Sequence, residues 1–353
     1  MPENQTFELL GVLAAFALAG GLSVALCRLM MSAGVVDAPS EPRKVQTHTV
    51  PTSGGTGFGL AALGAFLLCA SMFDIAVETP AYIAAGGAMA VLLVGLLDDV
   101  ADLAPKAKFL LMLAAAAAMA TFGVRTDHVT LWPGESWALL PVAGSLGAVM
   151  WFLLVLNAVN FMDGANGLAM GMGAIASLAL GACAAFAGRW DLALIALALC
   201  GALAGFLVWN VPGKLFAGDA GALFCGALLA GVSLLLVKER PDWLFIPPLI
   251  LAPFLTDVLL TLVWRIRMGK PFHQPHRDHT YQIAIKARLS HVQVAGIHAV
   301  WALNAAAIGT VAAITSSYVP VLAFVAVYLV SAWVHIRVRI SGVRAGLVGR
   351  EIA

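Results

Sequence analysis

The chain has 353 residues, of which 61% are hydrophobic and only 11% charged, and its mean hydropathy is +0.93. Soluble domains carry about 25% charged and about 45–50% apolar residues, so a water-facing surface cannot be assembled from this composition and a membrane is the expected solvent. A formal net charge of +1 gives nucleic-acid binding no electrostatic support.

A helix needs roughly 20 apolar residues to cross the hydrocarbon core. The first such run, 7–31, follows Met-Pro-Glu-Asn with no basic flank. It is too long for the apolar core of a signal peptide, so a retained transmembrane helix is expected. Further runs follow near 55–73, 80–97, 107–123, 139–158, 167–187, 191–209, 219–237, 243–264, 293–315 and 318–337, eleven in all. Between the fourth and fifth, a Val-Thr-Leu-Trp run before Pro133-Gly134 suggests a short hairpin. The ninth run holds Pro247, Pro248 and Pro253 and is predicted to be kinked or broken.

The expected fold is an all-α polytopic integral membrane protein. It forms a single membrane-embedded domain over 1–353, with a long loop at 265–292. With eleven spans, only Arg125, Arg189, Lys238 and Arg240 of the 20 Lys and Arg fall on one side. By the positive-inside rule the N-terminus is then outside and the C-terminus cytoplasmic. Each of the five cysteines lies in an apolar run without metal or disulfide spacing and reads as a small packing residue.

The basic side also holds the polar clusters. Its first loop carries Asp37, Arg43, Lys44, His48 and Pro51-Thr-Ser-Gly-Gly; its second is Asp98-Asp99-Val-Ala-Asp102 with Lys106 and Lys108. The third is Asn157-Ala-Val-Asn160-Phe-Met-Asp163-Gly-Ala-Asn166-Gly, and the fourth is Lys214-Leu-Phe216-Ala-Gly218-Asp219-Ala-Gly. The fifth ends in His276-Arg277-Asp278-His279-Thr-Tyr281-Gln282.

Each cluster also has a plain structural reading. Asp98-Asp99 could merely end a helix, although acids there oppose the macrodipole and ionised groups at membrane depth are costly. Asp219 could be an N-cap. Asn160 and Asp163 share a face if their helix extends that far, and oxygen donors of this kind suit Mg²⁺. His273, His276 and His279 have metal-like spacing, but there is no cysteine nearby and no fourth ligand; Arg277 and His279 fit anion donors better. Acids for a hard cation, bases for phosphate and flexible turns on one membrane face are the parts of a phosphoryl-transfer site.

With these residues in view, the chain resembles the polyprenyl-phosphate N-acetylhexosamine-1-phosphate transferases, glycosyltransferase family 4, over roughly 35–285. Asp98-Asp99 with Lys108, Asn157 to Leu168, and Lys214 to Gly221 are similar to three of its motifs. The His-Arg-x-His-x-Tyr-Gln run at 276–282 is similar to that of the O-antigen-initiating branch. The resemblance implies transfer of a sugar phosphate from a UDP-N-acetylhexosamine to polyprenyl (undecaprenyl) phosphate at the cytoplasmic face of the inner membrane, with UMP released.

It implies Asp98, Asp99 and Asp219 as catalytic residues, with Asp219 and Asn160 as ligands of Mg²⁺, for which Mn²⁺ could substitute. Phe216 would stack on uracil with Asn166 beside it; Lys108, Arg277 and His279 would hold phosphate; Asn157 and Asp163 would line the substrate site. The first loop matches with a shift of one or two residues and brings in Lys44 and His48 as substrate contacts. A homodimer is also implied, and nucleic acid is not a partner.

Asn166 stands where a second aspartate is common, Ala222 where serine is frequent, and Tyr281-Gln282 in place of the histidine pair of the peptidoglycan-precursor branch. That departure points away from a UDP-MurNAc-pentapeptide donor. The rival of another class is an ion-coupled transporter, which would place acids near mid-membrane and discontinuous helices in matching halves. A CDP-alcohol phosphotransferase would need paired downstream aspartates that Asp163-Gly164 lacks.

Overall fold

The computed structural model of the protein describes residues 3–32, 36–37, 50–270, 276–315 and 318–348. In chain order the helices are α1 (Glu3–Met30), α2 (Gly54–Met72), α3 (Thr79–Ala101), α4 (Pro105–Thr121), α5 (Pro141–Met162), α6 (Leu168–Phe186) and α7 (Trp190–Asn210). They continue with α8 (Gly218–Glu239), α9 (Ile246–Ile250), α10 (Ala252–Arg267), α11 (Thr280–Lys286), α12 (His291–Ile314) and α13 (Val319–Arg344). Two antiparallel strand pairs complete the described residues. β1 (Val36–Asp37) pairs with β2 (Val50–Pro51), and β3 (His128–Trp132) pairs with β4 (Glu135–Ala138) as the hairpin expected around Pro133-Gly134.

Among the described residues nine helices are long and apolar enough to cross a membrane: α1 to α3, α5 to α8, α12 and α13. The chain is therefore an all-α, multi-pass membrane protein. All eleven predicted runs fall on helices, but two of them differ from a simple span. α4 has 17 residues, about 25 Å of helix, just short of a hydrocarbon core of about 30 Å. The ninth run is divided: Pro241–Ile250 and Ala252–Arg267 meet at a bend of 76°. Prolines cause the division by position, since one without an N–H is tolerated only in a first turn. Pro247 and Pro253 therefore open α9 and α10 rather than lying inside one helix.

α8 is the axis of the bundle. Its whole membrane-crossing stretch is buried, and it packs on α2, α3, α5 and α6. A helix apolar all round belongs in such a place. Gly95 of α3 lets the two backbones meet, because a Cβ there would strike Ala220 N and lie 2.5 Å from Ala220 Cα. α1 and α13 lie at the edge and turn Phe7, Leu10, Leu322, Leu329 and Trp333 outward, a surface suited to lipid tails and not to water. The five cysteines are buried and free, as packing residues should be.

The two ends of the bundle differ. At one end Arg189 is held by Glu78, Asp191 and Glu239, with Arg125–Asp127 and Arg240–Asp242 as further pairs. The other end gathers the C-termini of α3, α5, α7, α10 and α13 with the N-termini of α2, α4, α6, α8, α11 and α12. The polar motifs sit on these turns.

Candidate active site at one end of the bundle

Asp98 and Asp99 occupy the last turn of α3 and divide their work. Asp98 Oδ1 accepts from Leu103 N at 3.0 Å, and its Oδ2 takes Lys108 Nζ at 2.9 Å. Lys108, in the first turn of α4, also pairs with Asp219 Oδ2 and so joins α3, α4 and α8. Asp99 turns to α8, where its two oxygens accept the backbone N–H groups of Asp219 (2.9 Å) and Ala220 (3.1 Å).

The simple reading of Asp219 as its own helix cap does not hold. The N-cap position is Ala217, which offers no side-chain bond, and the missing acceptors come from Asp99 of another helix. With its backbone capped from outside, the Asp219 side chain is left to face Lys108 and Asn160, whose Nδ2 donates to Asp219 Oδ1 at 2.8 Å. The positive end of α8 and the Lys108 ammonium are what stabilise two adjacent acids at the membrane edge.

Gly218 makes this turn possible. Its φ is +68°, and a Cβ there would strike Asp99 Oδ2 and lie 2.5 Å from the Thr52 carbonyl oxygen. The end of the first loop is laced to the same turn: Phe216 N donates to Pro51 O at 2.8 Å, Gly54 N to Phe216 O at 3.1 Å and Gly55 N to Ala217 O at 2.9 Å.

Asn160 lies in the last turn of α5, and Asp163 follows the helix as its C-cap. Burial, and after it the negative charges of Asp219 and Asp99, push the Asp163 carboxyl up to about 7. Asn157 donates its amide to Leu153 O at 2.7 Å, one turn back along α5. Asn166 lies against the Gly213 backbone, where its Nδ2 would be 2.9 Å from a Cβ. Asn210 binds Gly167 N (2.7 Å) and Leu215 O (2.9 Å), which ties the third loop to the fourth.

The 276–282 segment forms the other wall. Tyr281 donates to Phe161 O at 3.1 Å and packs over Gly164, so α11 is fastened to the Asn160–Asp163 corner. His276 Nδ1 and Arg277 Nη2 are buried without a hydrogen-bond partner among the described residues, and the Arg277 N–H is a donor for an anion. Burial, reinforced by the neighbouring His279 and Arg265, pushes His276 down to about 4. His279 is buried against Asp257 of α10, an acid the sequence reading passed over; a lone carboxyl inside an apolar run was the signal available.

The structure thus brings together Asp98, Asp99, Lys108, Asn160 and Asp219 by direct bonds, with Asp163 within their field. Arg277 and His279 are attached through Tyr281. Lys44 and His48 lie outside the described residues.

Among the described residues no three His, Cys, Asp or Glu side chains converge as a metal cage. A cation bound by one or two protein oxygens and completed by phosphate does not need one. Asp219 with Asn160 offers such a hard-oxygen pair, without sulfur. Asp98, Asp99 and Asp219 outweigh Lys108 in charge, so the set fits Mg²⁺.

The family model for glycosyl transferase family 4 matches residues 81–237, the stretch from α3 to α8 that carries the carboxylates. A probable undecaprenyl-phosphate N-acetylglucosaminyl 1-phosphate transferase of Bacillus subtilis is 30% identical over 268 residues, covering 75% of this chain and 73% of its own. A decaprenyl-phosphate N-acetylglucosaminephosphotransferase of Mycobacterium tuberculosis is 29% identical over 307 residues, covering 77% and 74%. A phospho-N-acetylmuramoyl-pentapeptide-transferase of Geobacillus kaustophilus is 40% identical over 110 residues, covering 30% and 34%. The chain belongs to glycosyl transferase family 4.

Proposed function

We propose that this protein transfers an N-acetylhexosamine-1-phosphate from a UDP-sugar to polyprenyl phosphate at the cytoplasmic face of the inner membrane. The product is a polyprenyl-diphosphate-sugar that starts a lipid-linked cell-envelope glycan, the O-antigen type being favoured by the 276–282 motif. The observation that carries the reading is the joining of Asp98, Lys108, Asp219 and Asn160 at the ends of four helices, beside the laced 51–55 and 214–218 turns. A cytoplasmic position for this end is favoured by the excess of Lys and Arg that the eleven-span reading of the sequence assigns to it.

In the reaction an oxygen of the lipid phosphate attacks the β-phosphorus of the donor. The bond from that phosphorus to the bridging oxygen breaks, and UMP leaves with the bond's electrons. A phosphate monoester with a second pKa near ~6 is largely dianionic at neutral pH, so Asp98 and Asp99 are assigned positioning and charge balance rather than proton removal.

Asp219 and Asn160 would hold Mg²⁺ (or Mn²⁺), which when bound neutralises pyrophosphate charge. Lys108, paired with Asp98 and Asp219, would supply its ammonium to phosphate oxygens, with Arg277 as a further donor and His279 beside it. Phe216 and Asn166, on neighbouring turns, are the candidates for uracil. Tyr281 is buried on Phe161 and Gln282 accepts His279 N at 3.1 Å. Tyr281 and Gln282 stand in place of the histidine pair of the peptidoglycan-precursor branch, which favours an N-acetylhexosamine over a MurNAc-pentapeptide. The transporter reading is less favoured, because Asp98, Asp99, Asp163 and Asp219 all lie at helix ends and the single broken pair, α9 with α10, has no counterpart among the described residues.

The test is UMP release by purified protein in detergent with undecaprenyl phosphate, Mg²⁺ and a panel of UDP-sugars that includes UDP-MurNAc-pentapeptide. Turnover is expected to need lipid and Mg²⁺, to stop with EDTA, and to vanish in Asp219→Ala. Absence of UMP with every donor, from folded and lipid-loaded protein, refutes the proposal.

A further inference from the structure

The family model ends at residue 237, yet the most densely bonded buried carboxylate among the described residues lies beyond it. Asp257, in the second turn of α10, is 5% exposed. Its oxygens accept Thr280 N (3.2 Å to each), Thr280 Oγ1 and Thr261 Oγ1 (3.1 Å). His279, 3% exposed, meets it with Nδ1 at 3.2 Å.

An ionised carboxylate can only accept, so the His279 proton belongs on Nδ1 and the nitrogen left for another partner is Nε2. The ring has little freedom to choose otherwise. It is stacked between His276 (centroids 5.0 Å) and Tyr281 (5.9 Å), and its backbone N–H is held by Gln282.

A second layer fixes Asp257 itself. Arg339 of α13, 6% exposed, donates from Nη2 to Thr261 Oγ1 (2.8 Å) and to the Asp278 carbonyl (2.7 Å). Its guanidinium lies 4.3 Å from the Trp264 ring centroid, and its Nε reaches His335 Nε2 at 2.7 Å. One nitrogen of Arg339 therefore spans α10 and the loop, and Thr261 relays it to Asp257. Arg265 pairs with Asp278 from the same helix. Three separate elements converge to hold one imidazole, which is more than folding a short loop requires.

We propose that Asp257, keyed by Thr261 and Arg339, is a positioning residue that pins Nδ1–H of His279 and leaves the Nε2 lone pair to accept from a hydroxyl of the donor. The assignment rests on the transferase reading for the donor and on geometry alone for the pairing, and the two can fail separately.

Two measurements decide it. In protein labelled with ¹⁵N-histidine, with His279 assigned by comparison with His279→Gln, Nδ1 is expected to carry a proton. A bare Nδ1 overturns the pairing whatever the activity. In Asp257→Asn the amide can donate to Nδ1 and drive the proton to Nε2. UMP release should then fall about 10²-fold in kcat, within the range for a misdirected proton donor or acceptor, while UDP-sugar Kd stays within about threefold. An unchanged kcat in the folded variant overturns the proposal.

Thr261→Val serves if Asp257→Asn does not fold. It removes the relay and keeps the carboxylate, and an unaltered rate and unaltered His279 resonance there overturn the role of the Arg339 layer. No turnover by wild type removes the donor together with the transferase reading, while the Nδ1 resonance still decides the pairing.

Discussion

Replacing Asp163 with asparagine should make the protein inactive and, above neutral pH, more stable. The carboxyl is moved from 3.8 to about 7 by burial and by Asp219 and Asp99, so it binds its proton more tightly folded than unfolded. Stability from this group is then complete below about 4, falls as pH climbs through about 7, and is level beyond. A displacement of this size corresponds to about 4 kcal/mol, and screening at a partly exposed carboxyl lowers the working figure to about 2–4 kcal/mol.

Asparagine removes that charge without changing the shape. Thermal unfolding in detergent with EDTA, compared between wild type and Asp163→Asn from pH 4.5 to 8, should show the variant ahead by several degrees at pH 8. The gap should close toward pH 4.5. Added Mg²⁺ should narrow the gap at pH 8 by stabilising wild type. A gap that is constant across the range, or a variant less stable at pH 8, refutes the argument that uncompensated charge is what Asp163 contributes to this site.

Lys108→Met leaves Asp98 and Asp219 facing each other without their shared counter-ion, and initial rates of UMP release should fall about 10²–10³-fold. Gly218→Ala puts a side chain at φ +68° against Asp99 and Thr52; a loss of about 1–3 kcal/mol is expected, read as a lowered Tm, with activity lost because the α8 cap is pushed away. At the far end Arg189→Ala leaves buried Asp191 with two further carboxylates unpaired. It should cost about 3–5 kcal/mol in thermal unfolding while kcat per folded molecule is unchanged, which separates the plain end of the bundle from the chemical one.

Much of this was legible in the sequence for physical reasons. In a bilayer a long apolar run has almost no alternative to a helix, so all the runs found were helices and the prolines of 243–264 marked the break. The hairpin followed from Pro133-Gly134. The Asp98-Asp99, Asn160 and Asp219 motifs were visible because polar residues are conspicuous in such a chain.

The partition of work between neighbours was not legible. Nothing in the dipeptide says that Asp98 turns to Lys108 while Asp99 caps a helix 120 positions away. Asp257 looked like one polar residue in an apolar run, because apart from Thr261 its partners arrive 22 and 23 residues later across a loop. Arg339 was indistinguishable from Arg337 as a membrane-edge charge, and only packing shows that it points inward at Thr261 and Asp278. α4 read as an ordinary span because hydropathy does not register a missing turn.

That last arginine bears on timing. The chain enters the bilayer in order, and the carboxylates of α3 are in place long before α8 arrives to be capped by them. The 276–280 loop acquires its final bonds only when α13 has docked. The bonds among Asp98, Asp99, Lys108, Asn160 and Asp219 need nothing beyond residue 220, whereas the histidine arm draws on Arg339. The two walls of the site thus close at different points along the chain, the carboxylate wall by residue 220 and the histidine wall only at residue 339.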